Sequence, residues 1–377
     1  MQYYSQPFGR RAVVAALFVV LGACALPRSG PSEAEIRRSS VDAGGDVNIV
    51  DVDDTIARLT RRELALGFDS KFLKAKSSNV DVINPGDVLS VTIWENVDNG
   101  LFATLGQKVT QLPEIQVDQS GTIFIPFAGR MQAGGKTSEQ VRSMITASLE
   151  AQTPDPQVEV RRVPGDGASV TLVGSVAAQG VYPITAGTRK LSGMLASAGG
   201  VTIPPEIAQI SVQRRGRTGR IWLQDLYSDT SRDIALRPRD RIVVEADRRV
   251  YTALGATGQT AVPFSKKDLN LAQALAEVGG LNSSIADPTG IFVFRIEPED
   301  IARKVLGKPG LVGQQKMAYV LNLTQPGGMF AAREFLVRDG DTIYVTEAPF
   351  VAFSKVLGAA LQSVNYALAF DAASRQF

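Results

Sequence analysis

The sequence predicts an α+β chain of several domains, built from β-patterned modules and closed by an amphipathic helix. Three observations predict it. An aspartate-bearing turn ahead of an alternating apolar strand occurs three times, and a short helix ending in Gly-Gly occurs twice, eighty residues apart. The chain also has 377 residues, 44% of them hydrophobic, which is ample for several cores and too many for one small domain.

The N-terminus carries Arg10 and Arg11, an apolar run from Ala12 to Val20, and then Leu21-Gly22-Ala23-Cys24. The run is too short to span a bilayer, so residues 1–23 are expected to be a secretory signal. Its end resembles the bacterial lipobox, and alanine rather than aspartate at position 25 implies sorting to the outer membrane. Cys24 is the single cysteine; a free thiol would be a liability in an exported protein, whereas thioether lipidation consumes it. A cleaved signal with an incidental cysteine is the alternative. Cleavage would remove two arginines and no acid, taking the formal charge from +2 to zero, so charge gives no support for a nucleic-acid partner. Residues 24–79 are expected to form a lipidated tether, rich in Ser, Gly, Pro and charge from Ala25 to Asp46. A short helix over Asp54–Leu66, packed on the next segment of chain, completes it.

The body begins at Val80–Trp94, where Pro85-Gly86-Asp87 separates two strand-like runs. Leu236–Val244 and Val337–Val345 repeat the pattern around Asp240 and Asp341. Aspartate here suits an Asx-type turn, its carboxylate accepting backbone N–H groups, and the recurrence argues for structure over catalysis. Leu191–Gly200 aligns with Leu271–Gly280, each a helix of one to two turns with leucines at i and i+4 and a glycine cap. Apolar strands precede them at Val170–Gly174 and Val250–Gly255. Hairpin-like pairs come after, Ile210–Val212 with Ile221–Leu223 and Ile291–Val293 with Tyr319–Leu321. Two β-β-α-β-β-β modules result, 169–246 and 249–348, each a helix laid across a mixed sheet. The second is longer between Glu297 and Met317, where a loop is expected.

With no histidine in the chain, histidine triads, histidine metal sites and imidazole acid–base steps are excluded, and no catalytic, metal or cofactor site is expected. Gly134-Gly135-Lys136-Thr137 resembles the tail of a phosphate-binding loop, but position 130 is Arg; a turn and an N-cap at Thr137 or Ser138 are expected instead. Asp53-Asp54 and Glu299-Asp300 are expected in solvated loops, since adjacency does not set the separation a glycosidase needs. Arg214, Arg215, Arg217 and Arg220 are expected at a solvated hairpin tip; contact with an anionic polymer or a neighbouring subunit is the alternative.

The last segment, 349–377, contains an amphipathic helix over Phe350–Phe370. Lys355, Gly358, Gln362 and Asn365 fall in one arc, and Phe353, Val356, Leu357, Ala360, Leu361, Val364 and Leu368 in the opposite one. Its length of about 30 Å matches the hydrocarbon thickness of a bilayer. Two readings stand: a helix docked on its own domain, or a span whose polar stripe faces water within a ring of copies.

Taken in order, the lipobox, the Ile83-Asn84-Pro85-Gly86-Asp87 turn, the Gly-Gly-capped modules and the terminal helix resemble the outer-membrane polysaccharide export lipoproteins. Val117–Pro126, Gly135–Gln140 and Asp155-Pro156-Gln157-Val158 are similar to the export domain of that family, here 80–163. The two modules are similar to its β-grasp-like soluble ligand binding repeats. The resemblance implies a non-enzymatic protein that exports capsular or extracellular polysaccharide from periplasm to cell surface. It implies a homo-oligomeric ring, often octameric, whose C-terminal helices form an α-helical barrel through the outer membrane, with most of the chain periplasmic. Phe353, Val356, Leu357, Ala360, Leu361, Val364 and Leu368 would face lipid; Lys355, Gln362 and Asn365 would line the pore. An inner-membrane polysaccharide co-polymerase or transporter would be the partner. The rival readings are a monomeric periplasmic lipoprotein that binds glycan or a partner, and a membrane-anchored polysaccharide-processing enzyme.

Overall fold

The computed structural model describes residues 30–42, 47–62, 66–76, 81–97, 100–102, 107–163 and 165–351. It has the mixed α+β character expected, with four sheets among the described residues. The described residues form two compact units, one within 64–247 and one that joins those before 64 to those after 247. The N-terminal stretch contributes a helix at Glu33–Asp42, strand β1 (Asn48–Asp51) and a helix at Asp54–Leu59.

The 64–247 unit contains the export-like region and the first module. Strands β2 (Val88–Trp94), β3 (Val109–Gln116), β4 (Thr122–Ile125), β5 (Gly129–Gln132) and β6 (Gln157–Val163) surround the helix Ser138–Leu149. They form a β3-β2-β6 sheet and a β4-β5 hairpin. The helix starts at a Thr137 capping box with Gln140 and buries Val141, Ile145 and Leu149 against Leu89, Val91 and Ile93 of β2. In the first module, β7 (Ser169–Gly174), β8 (Gly180–Pro183), β9 (Ala208–Arg214), β10 (Arg217–Trp222) and β11 (Arg241–Ala246) form a sheet in the order β10-β9-β11-β7-β8. The helix Leu191–Ser197 turns Leu191, Met194 and Leu195 onto it, burial that contributes roughly 1.5–3 kcal/mol per side chain.

In the other unit, β12 (Val250–Gly255), β13 (Thr260–Pro263), β14 (Ala286–Glu297), β15 (Gln315–Leu321) and β16 (Thr342–Glu347) repeat that order as β15-β14-β16-β12-β13. In both modules the first and last strands pair in parallel, β7 with β11 and β12 with β16. The hairpin pairing is as expected, with Ile210 opposite Ile221 and Ile291 opposite Leu321.

Several local expectations are corrected. The stretch read as a flexible tether is structured over much of its length: Glu33–Asp42 is helical, β1 adds in parallel to the outside of β15, and Ile36 is buried with Phe292 and Tyr344. The helix after β1 ends at Leu59 rather than Leu66, and Ala57 is buried in the second module's core, not against the next segment of chain. Unpaired edge amides on β15 and an apolar Ile49-Val50 explain the capture. The insertion between Glu297 and Met317 begins with a helix, Glu299–Leu306, that buries Ile301 and Ala302 and carries Arg303 paired with Glu299 at i and i+4. Glu299-Asp300 therefore starts a helix. The apolar run before Pro85 forms no ladder among its described residues; it makes a single bridge, Val82 to Thr137.

Gly174 and Gly255 hold equivalent places at the ends of β7 and β12, with φ of 97° and 84°. A Cβ at either would overlap a carbonyl oxygen of the parallel partner strand, Val244 or Val345. Gly200 shares the positive φ, at 86°, but has open space around it. Gly174→Ala is therefore expected to lower stability by about 3 kcal/mol or more and Gly200→Ala by about 1 kcal/mol. Urea unfolding of the two variants checks this; equal losses would contradict the close approach.

Candidate functional site

Each of the three aspartate turns closes a four-residue reverse turn. The N–H of Asp87 donates to the carbonyl of Asn84 (3.0 Å), that of Asp240 to Arg237 (3.1 Å) and that of Asp341 to Arg338 (3.1 Å). The third residue of each turn has positive φ: Gly86 at 92°, Arg239 at 69° and Gly340 at 80°. The carboxylate of each aspartate accepts the N–H three residues back, at 2.7 Å for Asn84, 2.8 Å for Arg237 and 2.7 Å for Arg338. The carboxylates of Asp87, Asp240 and Asp341 accept backbone N–H groups, but the bond runs three residues back across the reverse turn and not two residues on as in the Asx turn expected; Pro85 and Gly86 are the inner residues of the first turn.

An arginine from the adjacent antiparallel strand completes each turn. Arg162 reaches Asp87 at 2.6 and 3.2 Å, Arg214 reaches Asp240 at 2.6 and 2.9 Å, and Arg295 reaches Asp341 at 2.5 and 2.8 Å. All three are two-pronged forks, and the three carboxylates are at most 1% exposed. Arg214 also donates to the carbonyl of Ala235 and Arg295 to that of Leu336. Reading the sequence for turns misses these arginine partners, although a signal exists: Val158-x-Val160-x-Arg162, Ile210-x-Val212-x-Arg214 and Ile291-x-Val293-x-Arg295 each alternate inward and end in a cation. Arg214 is thus not part of a solvated tip. Arg215, Arg217 and Arg220 are exposed, and Arg215 (φ 47°) with Gly216 (φ 78°) forms the two-residue turn joining β9 to β10.

The second module adds to this plan. Glu297, fully buried, takes Arg295 at 3.4 Å, Arg338 at 2.7 Å and the Tyr319 hydroxyl at 2.9 Å. Arg338 also donates to the carbonyl of Thr60, tying in the N-terminal helix. Burial pulls the Arg295 guanidinium down, yet Asp341 and Glu297 hold it above its ordinary value. Burial, reinforced by Glu297, raises the Tyr319 hydroxyl well above the ordinary tyrosine range.

In the 64–247 unit a cleft of about 770 Å³ opens beside the Arg237–Asp240 turn, lined by Lys76, Asn84, Gly167, Arg214, Arg215 and Arg239 among others. No three carboxylate or cysteine groups among the described residues are placed to hold a metal ion. Cys24 lies outside the described residues. So do Phe353, Val356, Leu357, Ala360, Leu361, Val364 and Leu368, and with them Lys355, Gln362 and Asn365. Among the described residues no helix is long and apolar enough to cross a membrane.

Residues 75–163 match the model of the polysaccharide biosynthesis/export protein family, and residues 169–221 that of the SLBB domain. The chain is 30% identical to the capsule polysaccharide export protein BexD of Haemophilus influenzae, over 92% of this chain and 93% of that one. It is 29% identical to the capsule polysaccharide export outer membrane protein CtrA of Neisseria meningitidis serogroup B, over 90% of each. It is 28% identical to the Vi polysaccharide export protein VexA/TviF of Salmonella typhi, over 91% and 94%.

Two expectations arise from the buried forks. Asp341→Ala leaves Arg295 buried beside a lost partner and is expected to cost about 3–5 kcal/mol, whereas Asp341→Leu with Arg295→Met costs less, as urea unfolding would show. Because Tyr319 titrates higher in the folded chain than in the unfolded one, the unfolded state loses its proton first as pH rises past about 10; stability falls there, and Tyr319→Phe is expected to flatten that fall in a pH series of unfolding midpoints.

Proposed function

The chain belongs to the family of capsule and exopolysaccharide export outer-membrane proteins, and from that premise we propose that it is an outer-membrane lipoprotein that conducts polysaccharide from the periplasm to the cell surface. The observation that carries this is the similarity along nine-tenths of the chain to proteins named for capsule export. In the proposal Cys24 bears the lipid, and several copies form a closed ring. The sheet edges β8 in the first module and β13 in the second supply heterologous contacts that close by rotation.

The segment Phe350–Phe370 then crosses the outer membrane as one stave of a helical barrel. Its apolar arc, Phe353 to Leu368, meets lipid, and Lys355, Gln362 and Asn365 meet a water-filled lumen. A polar stripe in hydrocarbon is costly for a single helix, so insertion requires the ring. Conduction needs no bond to be made or broken: hydroxyl, amide and sparse charge exchange hydrogen bonds with a hydrated polymer and release it. Driving force would come from an inner-membrane polysaccharide co-polymerase or transporter.

Extraction in mild detergent is expected to give a particle many times the monomer mass, and deletion of residues 349–377 to abolish surface polysaccharide while leaving a folded periplasmic part. A persistent monomer that retains the terminal helix, or unchanged surface polymer after the deletion, would sink the ring.

A further inference from the structure

The basic cleft of the 64–247 unit has features that the turn architecture does not require. Its acidic lining residue, Asp240, is consumed by the fork from Arg214. Lys76, Arg215, Arg237 and Arg239 line the same space, and none of these four side chains forms an ion pair among the described residues. In the second module the residue equivalent to Arg237 is Arg338, and it is neutralised by Glu297; Arg237 has no such carboxylate. Arg214 keeps one more donor in reserve, since its Nη1 is buried without a hydrogen-bond partner.

The backbone supplies a second, independent observation. Among the described residues four that are not glycine have positive φ, and two of them, Arg215 and Arg239, line this cleft. The position of Arg239 is held by Gly86 and Gly340 in the other two turns, where glycine adopts the left-handed conformation without a Cβ penalty. An arginine kept there stores strain that the fold does not need, and such strain gathers at functional positions. Four unpaired cations facing one concave space also repel one another unless an anion joins them.

We propose that this cleft binds the acidic group, carboxylate or phosphate, of an anionic saccharide, with Arg215, Arg237 and Arg239 as its direct ligands. The inference rests on the export reading for its ligand class. Guanidinium forks match the planar carboxylate and the phosphate face alike. The volume suits one or two sugar units, a length over which a moving polymer is held briefly and released.

The test uses the full detergent-extracted chain. Titration calorimetry is run with an oligouronate, with its carboxyl-reduced neutral counterpart and with inorganic phosphate, at low and high salt. The oligouronate is expected to bind, the neutral oligosaccharide to bind at least about tenfold more weakly, and affinity to fall with salt. Competition by phosphate assigns the site to oxyanions generally; absence of competition assigns it to carboxylates, and both support the proposal. The variant Arg215→Gln with Arg239→Gly, which places glycine where the other turns have it, is expected to unfold no earlier than the wild type and to lose oligouronate affinity at least about tenfold. Equal affinity for the neutral sugar, unchanged affinity in the variant, or no binding of any probe would overturn the site. Loss of the ring in that variant would assign the cations to a subunit contact and overturn it as well. Particle mass on the same samples separates the two claims: a monomer that binds oligouronate refutes the ring alone, and a ring that binds none refutes the site alone.

Discussion

A buried aspartate held by an arginine fork organises this protein, and it does so three times. Each aspartate stands where a turn enters a sheet strand, and each ties several pieces of chain together. Its carboxylate closes its own turn and receives the guanidinium from the neighbouring antiparallel strand. Its carbonyl accepts an N–H from a further strand or its end: Val117 for Asp87, Thr171 for Asp240, Thr252 for Asp341. The segment before the turn bridges the N-cap of the domain helix, Val82 to Thr137, Ala235 to Lys190 and Leu336 to Asn270. In the two modules helix, hairpin and parallel strand are thereby fixed to one point; in the export-like region the strand so fixed is the antiparallel β3. A buried ion pair of this kind adds little net stability against an apolar substitute, but breaking it is costly, so its effect is to enforce a single arrangement.

Departures from the common plan are informative because the plan is so regular. In the export-like region the fork is reached diagonally, and the Gly165 N–H donates to Asp87 as well, so the connection to the first module packs directly on the turn. In the second module the fork grows into a network with Glu297, Arg338 and Tyr319 that extends to the N-terminal helix. In the first module the corresponding arginine stays unpaired, and the turn accepts an arginine where glycine would be easier. One scaffold thus serves as structure in two copies and leaves surplus cationic chemistry in the third.

The N-terminal stretch divides between the two units. The helices Glu33–Asp42 and Asp54–Leu59 and the strand β1 complete the second module, with β1 covering the edge of β15. Phe68 and Phe72 enter the core of the first module, where Arg214 lies over the Phe72 ring at 5.0 Å. For a chain proposed to export a polymer, rigid modules held by local forks are a fitting construction, since subunits in a ring need edges of fixed geometry.

Short-range chemistry is legible in the sequence alone. Period-two alternation, the aspartate-bearing turns at Asp87, Asp240 and Asp341, the Thr137 cap and the Gly-Gly helix ends depend on residues a few positions apart, and each is readable without the structure, although the direction in which the carboxylate bonds is not. Lipidation at Cys24 and the spanning role of Lys355, Gln362 and Asn365 remain readings of sequence, outside the described residues. Tertiary structure alone decided what meets across long separations. Arg162 finds Asp87 over 75 residues, Arg295 finds Asp341 over 46, and Arg338 reaches the Thr60 carbonyl over 278. It also decided that β1 joins β15, that the insertion starts with a helix, and that Arg214 is buried while Arg215 and Arg239 line a cleft. Local patterns state which face of a strand is apolar; which charge neutralises which depends on strand order, and strand order is set by the packing of the whole core.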